Sequence, residues 1–564
     1  MKAKTIGFYV LLGLVLLIAP FYTGPSIGGS GLRLPFNISI WFVIPWFLLA
    51  AILIILRTKI VHLPQHWRLF LPLFILMFIS GMLSNSEPIA WLFRLSFIFG
   101  GGLFLLALFQ YKPRENQINV VLFGLLLAMF FHGLIAVVQT QFPNYLPLWL
   151  PPSPNGVPYG IFQQINIQAS YMVTSLIVLT YLISRPCFLT SGMLLKIAML
   201  AVVATSSYVI FASGSRIGLL ALFLSLPLLV IARRQQLVKH KGFLLVALLV
   251  MNANAWYQQA GISQSLAKTT NLTQGEYKAA RLGMYTIGTE LVLQKPFLGH
   301  GIGSFQQVWA QQAGDFHRRF PEAILPDVII TTHPHNEFLY WLIEAGSVVV
   351  LGILLVILAV GLAIYRCGFS RGGAYLAMLL PITLHTQVEL PFYGSSAHWF
   401  TWLLLLFLPL RHTVVNYGMH LSRYATALLY TVSLSLAVLV SSFMVHTFRA
   451  QSDIFRFLYT KSEPPYLQVA MHNIYFKPLA IELAMRSNLY EGIKRQDETF
   501  VRAFIEWSND MGEARSMLIY EDLVKAYDYL QYVDVECALV KVGAEIYPNN
   551  KNLSGAYVHC LEVN

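Results

Sequence analysis

Apolar stretches of about twenty residues, nearly free of charge, recur along the first 445 or so residues, and they constrain the fold more than any other feature. A helix of about 20 residues crosses a hydrocarbon core of roughly 30 Å and satisfies its own backbone there, which an open sheet or a loop does not. Candidate spans lie near 5–22, 38–57, 69–85, 89–110, 118–139, 166–184, 193–212, 217–232, 242–257, 337–365, 374–390, 398–410 and 425–445. The expected fold is therefore all-α: a polytopic membrane protein of about 13 transmembrane helices. Composition excludes the soluble class, since only 11% of residues are charged, against about 25% in ordinary soluble domains. The N-terminus, Met1-Lys2-Ala3-Lys4 before an apolar run, resembles a signal peptide. It lacks a small-residue cleavage site and leads through Pro20 and Pro25 to another span, so a retained first helix is expected.

The net charge of +12 reads as a topology signal and not as a nucleic-acid surface. One alternating set of loops carries Arg57, Lys59 and Arg68, then Lys112 and Arg114, Arg185, Arg233 with Arg234, Lys239 and Lys241, Arg366 with Arg371, and Arg411 with Arg423. The other set is nearly free of Lys and Arg where it is short, as in Gln141 to Gln164. Positive loops stay on the cytoplasmic side, which puts the N-terminus inside. Four regions follow: N-terminal transmembrane helices (1–257), a large periplasmic loop (258–336), C-terminal transmembrane helices (337–445) and a periplasmic helical domain (446–564). In that last domain apolar residues recur at helical spacing, as in Leu523, Ala526 and Leu530. A repeat of paired helices shows no clear period there. Of the four cysteines, Cys537 and Cys560 alone are placed to form a disulfide, provided the tail lies in an oxidising compartment.

Several polar residues stand out against this apolar background. Arg216, in Ser213-Gly214-Ser215-Arg216-Ile217-Gly218, breaks the charge pattern within a small-residue turn. Arg94 lies inside a span near its outer end, and Arg281 lies in the long loop. Arginines snorkel to interfaces without further meaning, but a guanidinium on the disfavoured side also suits a multi-oxygen anion such as pyrophosphate. His333 and His335 close the long loop, in Thr331-Thr332-His333-Pro334-His335-Asn336-Glu337. Pro334 fits a first helical turn capped by Thr331 or Thr332, which places His335 at a helix N-terminus where a neutral, proton-accepting imidazole is favoured. The pair also fits interfacial polar residues, or half of a metal site that lacks a third ligand at close spacing. Gln164 and Asn166, in Phe162-Gln163-Gln164-Ile165-Asn166, bring neutral amides to an outer helix end, the chemistry that sugar hydroxyls ask for. His385 and Glu389 lie four apart on one helix face with Tyr393 beyond them, where ionisable groups usually face a cavity or a partner. The run Gly299-His300-Gly301-Ile302-Gly303 has no strand before it, so it reads as a tight turn returning toward the membrane and not as a phosphate loop.

Together these motifs resemble the O-antigen ligase superfamily of Gram-negative inner membranes, and within it the branch that O-glycosylates pilins. Ser215-Arg216 at a helix start, Arg281 followed by Lys295 to Phe305, and His333 to Leu339 carry the superfamily resemblance. Phe162 to Asn166 and His385 to Tyr393 carry the pilin-glycosylating one. The resemblance implies an oligosaccharyltransferase whose donor is an undecaprenyl-pyrophosphate-linked oligosaccharide and whose acceptor is a pilin-like periplasmic protein, in the inner membrane, with no cofactor or metal and no nucleic acid. It implies that His335 activates the acceptor hydroxyl, that Arg216 and Arg281 hold the pyrophosphate, and that Gln164 and Tyr393 serve the protein-glycosylating reaction. Gln163 beside Gln164 leaves two candidates for the functional glutamine. A ligase or polymerase with a sugar acceptor, and a lipid-linked glycan transporter, are the alternatives. A transporter would need polar residues on several helices near the midplane, which these spans largely lack.

Overall fold

The computed structural model describes residues 2–147, 150, 152–153, 156–270, 280–323, 331–460, 466–512 and 515–563. Pro151, Pro154 and Asn155 of the proline-rich loop, and 271–279 and 324–330 of the long polar interval, lie outside the described residues. The chain divides into two compact units: 1–71, 96–269 and 355–455 form the first, and 72–95, 270–354 and 456–564 the second.

The protein is a multi-pass, mostly helical membrane protein. Seven described helices are long and apolar enough to cross a bilayer, or up to eight if the bent pair Arg216–Ala232 and Arg234–Tyr257 is one span. Thirteen spans were expected; the others fall on described helices that are shorter, such as Ile6–Phe21 and Trp67–Leu83, or bent. Helix Ser396–Leu410 has 15 residues, and all except Trp402 are buried. Helix Ile165–Ile183 is the centre of the first unit, with every residue from Ile167 to Ile183 buried. Its polar Gln168, Ser170, Thr174 and Ser175 are tolerated because they face protein and not lipid. Small residues let its neighbours approach: a Cβ on Gly218 would crowd Ala169, and one on Gly133 would meet Met172.

The expected all-α fold is corrected by one two-stranded antiparallel ribbon, Ile60–Pro64 with Val414–Gly418. Its β-branched Ile60, Val61, Val414 and Val415 favour extended backbone. The ribbon ties two basic loops together, and Met419 N–H extends it by donating to Lys59 O at 2.8 Å. Arg366 donates to Gln65, while Arg185 and Arg411 both pair with Glu115. Arg233 reaches Ser184 and Ser370. The loops that share an excess of positive charge thus share one end of the first unit.

In the second unit the polar interval is largely helical, with Ala280–Gln294 and Phe305–Arg319. The latter buries Phe305, Trp309, Ala313 and Phe316, the i, i+4, i+8, i+11 face of an amphipathic helix. Its Ala310 packs with Tyr520, Ile546 and Leu553 of the C-terminal helices. Those helices, Lys477–Arg495, Glu498–Asn509, Met517–Tyr529, Val533–Ile546 and Lys551–Val563, pack each on the next around Leu489, Val501, Phe504, Ile519 and Leu523. A disulfide joins Cys537 to Cys560 across the last two.

The glycine run resolves into a splice. Helix Glu337–Arg366 is broken at Gly346, whose φ of 71° and ψ of −177° place it outside helical space. At the break His300 N–H donates to Ile343 O (2.8 Å) and Gly301 N–H to Glu344 O (2.9 Å), while Ser347 N–H donates to Pro296 O (2.9 Å). Backbone groups released by the break are thus met by residues 296–301, as burial requires. A Cβ on Gly346 would collide with Phe297 O, one on Gly299 with the Glu344 backbone, and one on Gly301 with Asn85 O. His300 locks the arrangement, since its buried Nε2–H donates to Leu291 O at 2.8 Å. Burial holds its imidazole below the ordinary value, which favours that neutral form.

Gly346→Ala should therefore lower stability by at least about 2 kcal/mol, because that backbone region is nearly closed to other residues. Gly361→Ala, on the same helix with no atom near its added methyl, should leave thermal denaturation of the detergent-purified protein unchanged. Equal melting curves for both variants would contradict the splice.

Candidate active site

In the first unit, three helix ends converge opposite the basic loops. Gln164 caps helix Ile165–Ile183, its Oε1 accepting from Ile167 N–H at 2.6 Å, and its Nε2 donates to Glu389. Glu389 in turn faces His385 Nε2 at 3.5 Å, and His385 Nδ1 lies 2.8 Å from Ser170 Oγ. The line continues to His398, whose Nε2 is 3.4 Å from Ser170 Oγ and 3.0 Å from Ile167 O. A carbonyl only accepts, so His398 carries its proton on Nε2, and Nδ1 accepts from Ser395 Oγ at 3.0 Å. This continuous polar line anchors one end of the helix bundle.

Arg216 is the first residue of helix Arg216–Ala232, which Ser215 caps through Gly218 N–H at 3.2 Å. Ser215 Oγ donates to Asn166 Oδ1 at 2.7 Å and so joins the starts of the two helices. Gly214, at φ +59°, brings the turn hard against Gln264, and Gly261 packs on Phe211 O. A guanidinium at a helix N-terminus adds positive charge where the peptide dipoles are already positive, and an anion offsets both. Tyr393, in the turn Pro391–Gly394, stacks against Phe97 at 6.2 Å. Gln163 turns away into left-handed backbone (φ 56°) and donates to Ser26 Oγ at 3.2 Å, which separates it from Gln164.

In the second unit, His335 Nα–H donates to His333 Nδ1 at 3.2 Å, and the two rings meet edge to face at 4.4 Å. The helix begins later than expected. Asn336 is its cap, accepting from Leu339 N–H at 2.9 Å, and Glu337 is its first residue. Thr331 and Thr332 do not cap it. Residue His333 is biased to extended backbone by Pro334, and His335 itself is left-handed (φ 53°), a conformation no right-handed helix contains. His335 therefore stands one residue outside the helix mouth. Arg281 opens the neighbouring helix Ala280–Gln294, which packs at Gly288 on Leu339 and Ile343. Leu291, further along, meets Ile343 through His300, so the two helices run in the same sense and carry Arg281 and His335 toward the same ends.

Arg94 has a different setting. It pairs in bidentate fashion with Glu344, donates to Tyr340 Oη and lies over the Tyr340 ring at 4.4 Å. Glu344 is 0% exposed and also accepts from Phe305 N–H at 3.2 Å. Sequence reasoning missed Glu344, although a lone acid within an apolar span signals a hidden partner. It also missed Ser170 and His398, which resemble ordinary span residues until helix packing brings them to His385. Glu337 Oε1 accepts from Trp341 Nε1 at 3.0 Å. No group of three or more His, Cys, Asp or Glu side chains is arranged to hold a metal among the described residues.

A multi-pass helical membrane protein with arginines and histidines gathered at helix mouths is the class these observations define. Residues 200–357 match the family model described as Wzy_C, O-antigen ligase, a family of glycosyl-transferring enzymes. The matched segment contains Arg216, Arg281, His333 and His335, and leaves Arg94, Gln164, Asn166, His385, Glu389 and Tyr393 outside it. No curated protein matches the chain.

The Arg94 and Glu344 pair yields a direct test. Arg94→Leu and Glu344→Leu each strand a buried charge and should cost about 3–5 kcal/mol in thermal stability, while the double variant should regain most of the loss. Additive losses would show that the two groups do not act as a pair.

Proposed function

We propose that this protein moves a preassembled glycan from undecaprenyl-pyrophosphate to a Ser or Thr hydroxyl of a pilin-like protein on the periplasmic face of a Gram-negative inner membrane. The observation that carries the reading is the match of residues 200–357 to the O-antigen ligase family, with both arginines and both histidines inside it. In the proposed step the acceptor oxygen bonds to the anomeric carbon as the bond from that carbon to the phosphate oxygen breaks. The hydroxyl proton passes to His335, and the departing pyrophosphate keeps the electron pair. The leaving group is already good, so the protein supplies anion stabilisation and a base.

Arg216 is assigned to the pyrophosphate, the role that the family resemblance implies also for Arg281. His333, whose Nδ1 accepts the His335 backbone N–H, orients the base. The Gln164, Glu389 and His385 line, with Asn166 and Tyr393 beside it, is assigned to the glycan or the acceptor. Arg94 is assigned to holding Glu344 and not to substrate. The disulfide between Cys537 and Cys560 supports a periplasmic C-terminal domain, because such bonds persist in oxidising compartments. The same chemistry with a sugar acceptor, as in a ligase or polymerase, is the second reading, and the family match favours it equally.

Transfer measured with purified lipid-linked glycan and pilin should fall at least about 100-fold in His335→Ala and in Arg216→Ala, with membrane insertion unchanged. Near wild-type transfer by either variant would remove that residue from its role. Transfer to lipid A core in place of pilin would establish the sugar acceptor.

A further inference from the structure

The basic end of the first unit holds a feature that the glycan reading does not use. Three helix ends meet there: the C-terminus of Ile165–Ile183, the C-terminus of Arg216–Ala232 and the start of Gly368–His385. These are the ends opposite Gln164, Ser215 and His385, roughly 28 Å away along a 19-residue helix. Between them lies a cavity of about 580 Å³ lined by Arg185, Arg233, Gln236, Phe369, Ser370 and Arg371, among others. Its size is that of a small-ligand site.

The charges around this cavity do not balance. Arg233 is 7% exposed, yet its guanidinium donates only to neutral oxygens: Ser184 Oγ at 3.0 Å, Ser184 O at 3.2 Å and Ser370 Oγ at 3.2 Å. Arg185 and Arg233 lie 5.7 and 5.9 Å from the centre of the same Tyr181 ring, so two guanidiniums share one aromatic partner. Among the described residues, one carboxylate contacts any of the three arginines: Glu115, 2.5 Å from Arg185 and shared with Arg411. Arg371 is exposed at the cavity and makes no hydrogen bond or ion pair to another described residue. Gln236 Oε1 is buried without a partner among the described residues. A buried cation without a counter-charge is unfavourable unless an anion joins it. Phe369, 63% exposed at the rim, sets bare aromatic surface beside that charge, as at the boundary between headgroups and acyl chains.

We propose that this cavity binds a phosphate group, in the first instance the phosphodiester of an anionic phospholipid from the leaflet on the basic side. Arg233 uses its remaining N–H donors, Arg185 and Arg371 close on the phosphate oxygens in the fork geometry of guanidinium pairs, and Phe369 rests on the first acyl carbons.

The test uses the full chain, released from nanodiscs of mixed phosphatidylglycerol and phosphatidylcholine and weighed intact. Wild type should retain phosphatidylglycerol in preference to phosphatidylcholine, and Arg371→Gln should cut the retained fraction about tenfold. Arg371 makes no hydrogen bond or ion pair to another described residue, so this variant should keep the wild-type melting temperature without added ligand. A parallel titration with inorganic phosphate separates the sources. Phosphate that raises the melting temperature of wild type but not of Arg371→Gln, with no lipid retained, assigns the site to soluble phosphate and upholds it as a phosphate site. Equal lipid retention and equal phosphate response in both proteins would overturn the proposal and leave the arginines as partners of the helix C-termini.

Discussion

The second unit depends on the break at Gly346. A helix interrupted inside an apolar span releases backbone donors and acceptors that lipid cannot satisfy. Here residues 296–301 satisfy them, and they fit only because glycine stands on both sides of the contact, at 346 in the helix and at 299 in the run that meets it. Phe305 follows the run and donates its N–H to the buried Glu344, which holds Arg94 and through it Tyr340. His300 ties the same junction to helix Ala280–Gln294. The position of His335 follows from this, since its helix begins at Glu337 and is pinned from Ile343 to Ser347.

The first unit is organised by charge. Its basic loops gather at one end, held by the Ile60–Pro64 ribbon and by the shared carboxylate of Glu115. The other end carries amides, hydroxyls, imidazoles and the Glu389 carboxylate, with Arg216 at the start of one of its helices. Helix starts capped by Gln164 and Ser215 direct N–H groups and dipole ends toward that face. Such an end attracts anions, as the proposed pyrophosphate donor requires.

Much of this was legible in the sequence, and the failures have physical causes. Apolar period and charge asymmetry gave a multi-pass helical protein, and the grouping of basic loops at one end agrees with the charge pattern. Ser396–Leu410 read as a span from its hydropathy, and its 15 residues, buried except for Trp402, make it shorter than the helices long enough to cross a bilayer. The interval 258–332 read as a loop because low hydrophobicity hid the helical face of Phe305, Trp309 and Phe316. The run 299–303 was recognisable as a turn, but Gly346, its counterpart, looks in sequence like any glycine of an apolar helix. His385 and Glu389 were paired on one helix face, although the helix ends at His385, and Gln164 was singled out apart from them; only tertiary packing shows that Gln164 touches Glu389. Pro334 signalled a helix start, yet the left-handed backbone of His335 moved the cap to Asn336, a shift that depends on tertiary context.

The central claim is glycan transfer to a periplasmic protein, and it has one direct measurement. Pilin should be purified from cells that carry this gene and from cells that lack it, and its intact mass compared. The account predicts that loss of the gene lowers the pilin mass by one discrete glycan increment while lipopolysaccharide stays unchanged. An unchanged pilin mass, with truncated lipopolysaccharide, would contradict it.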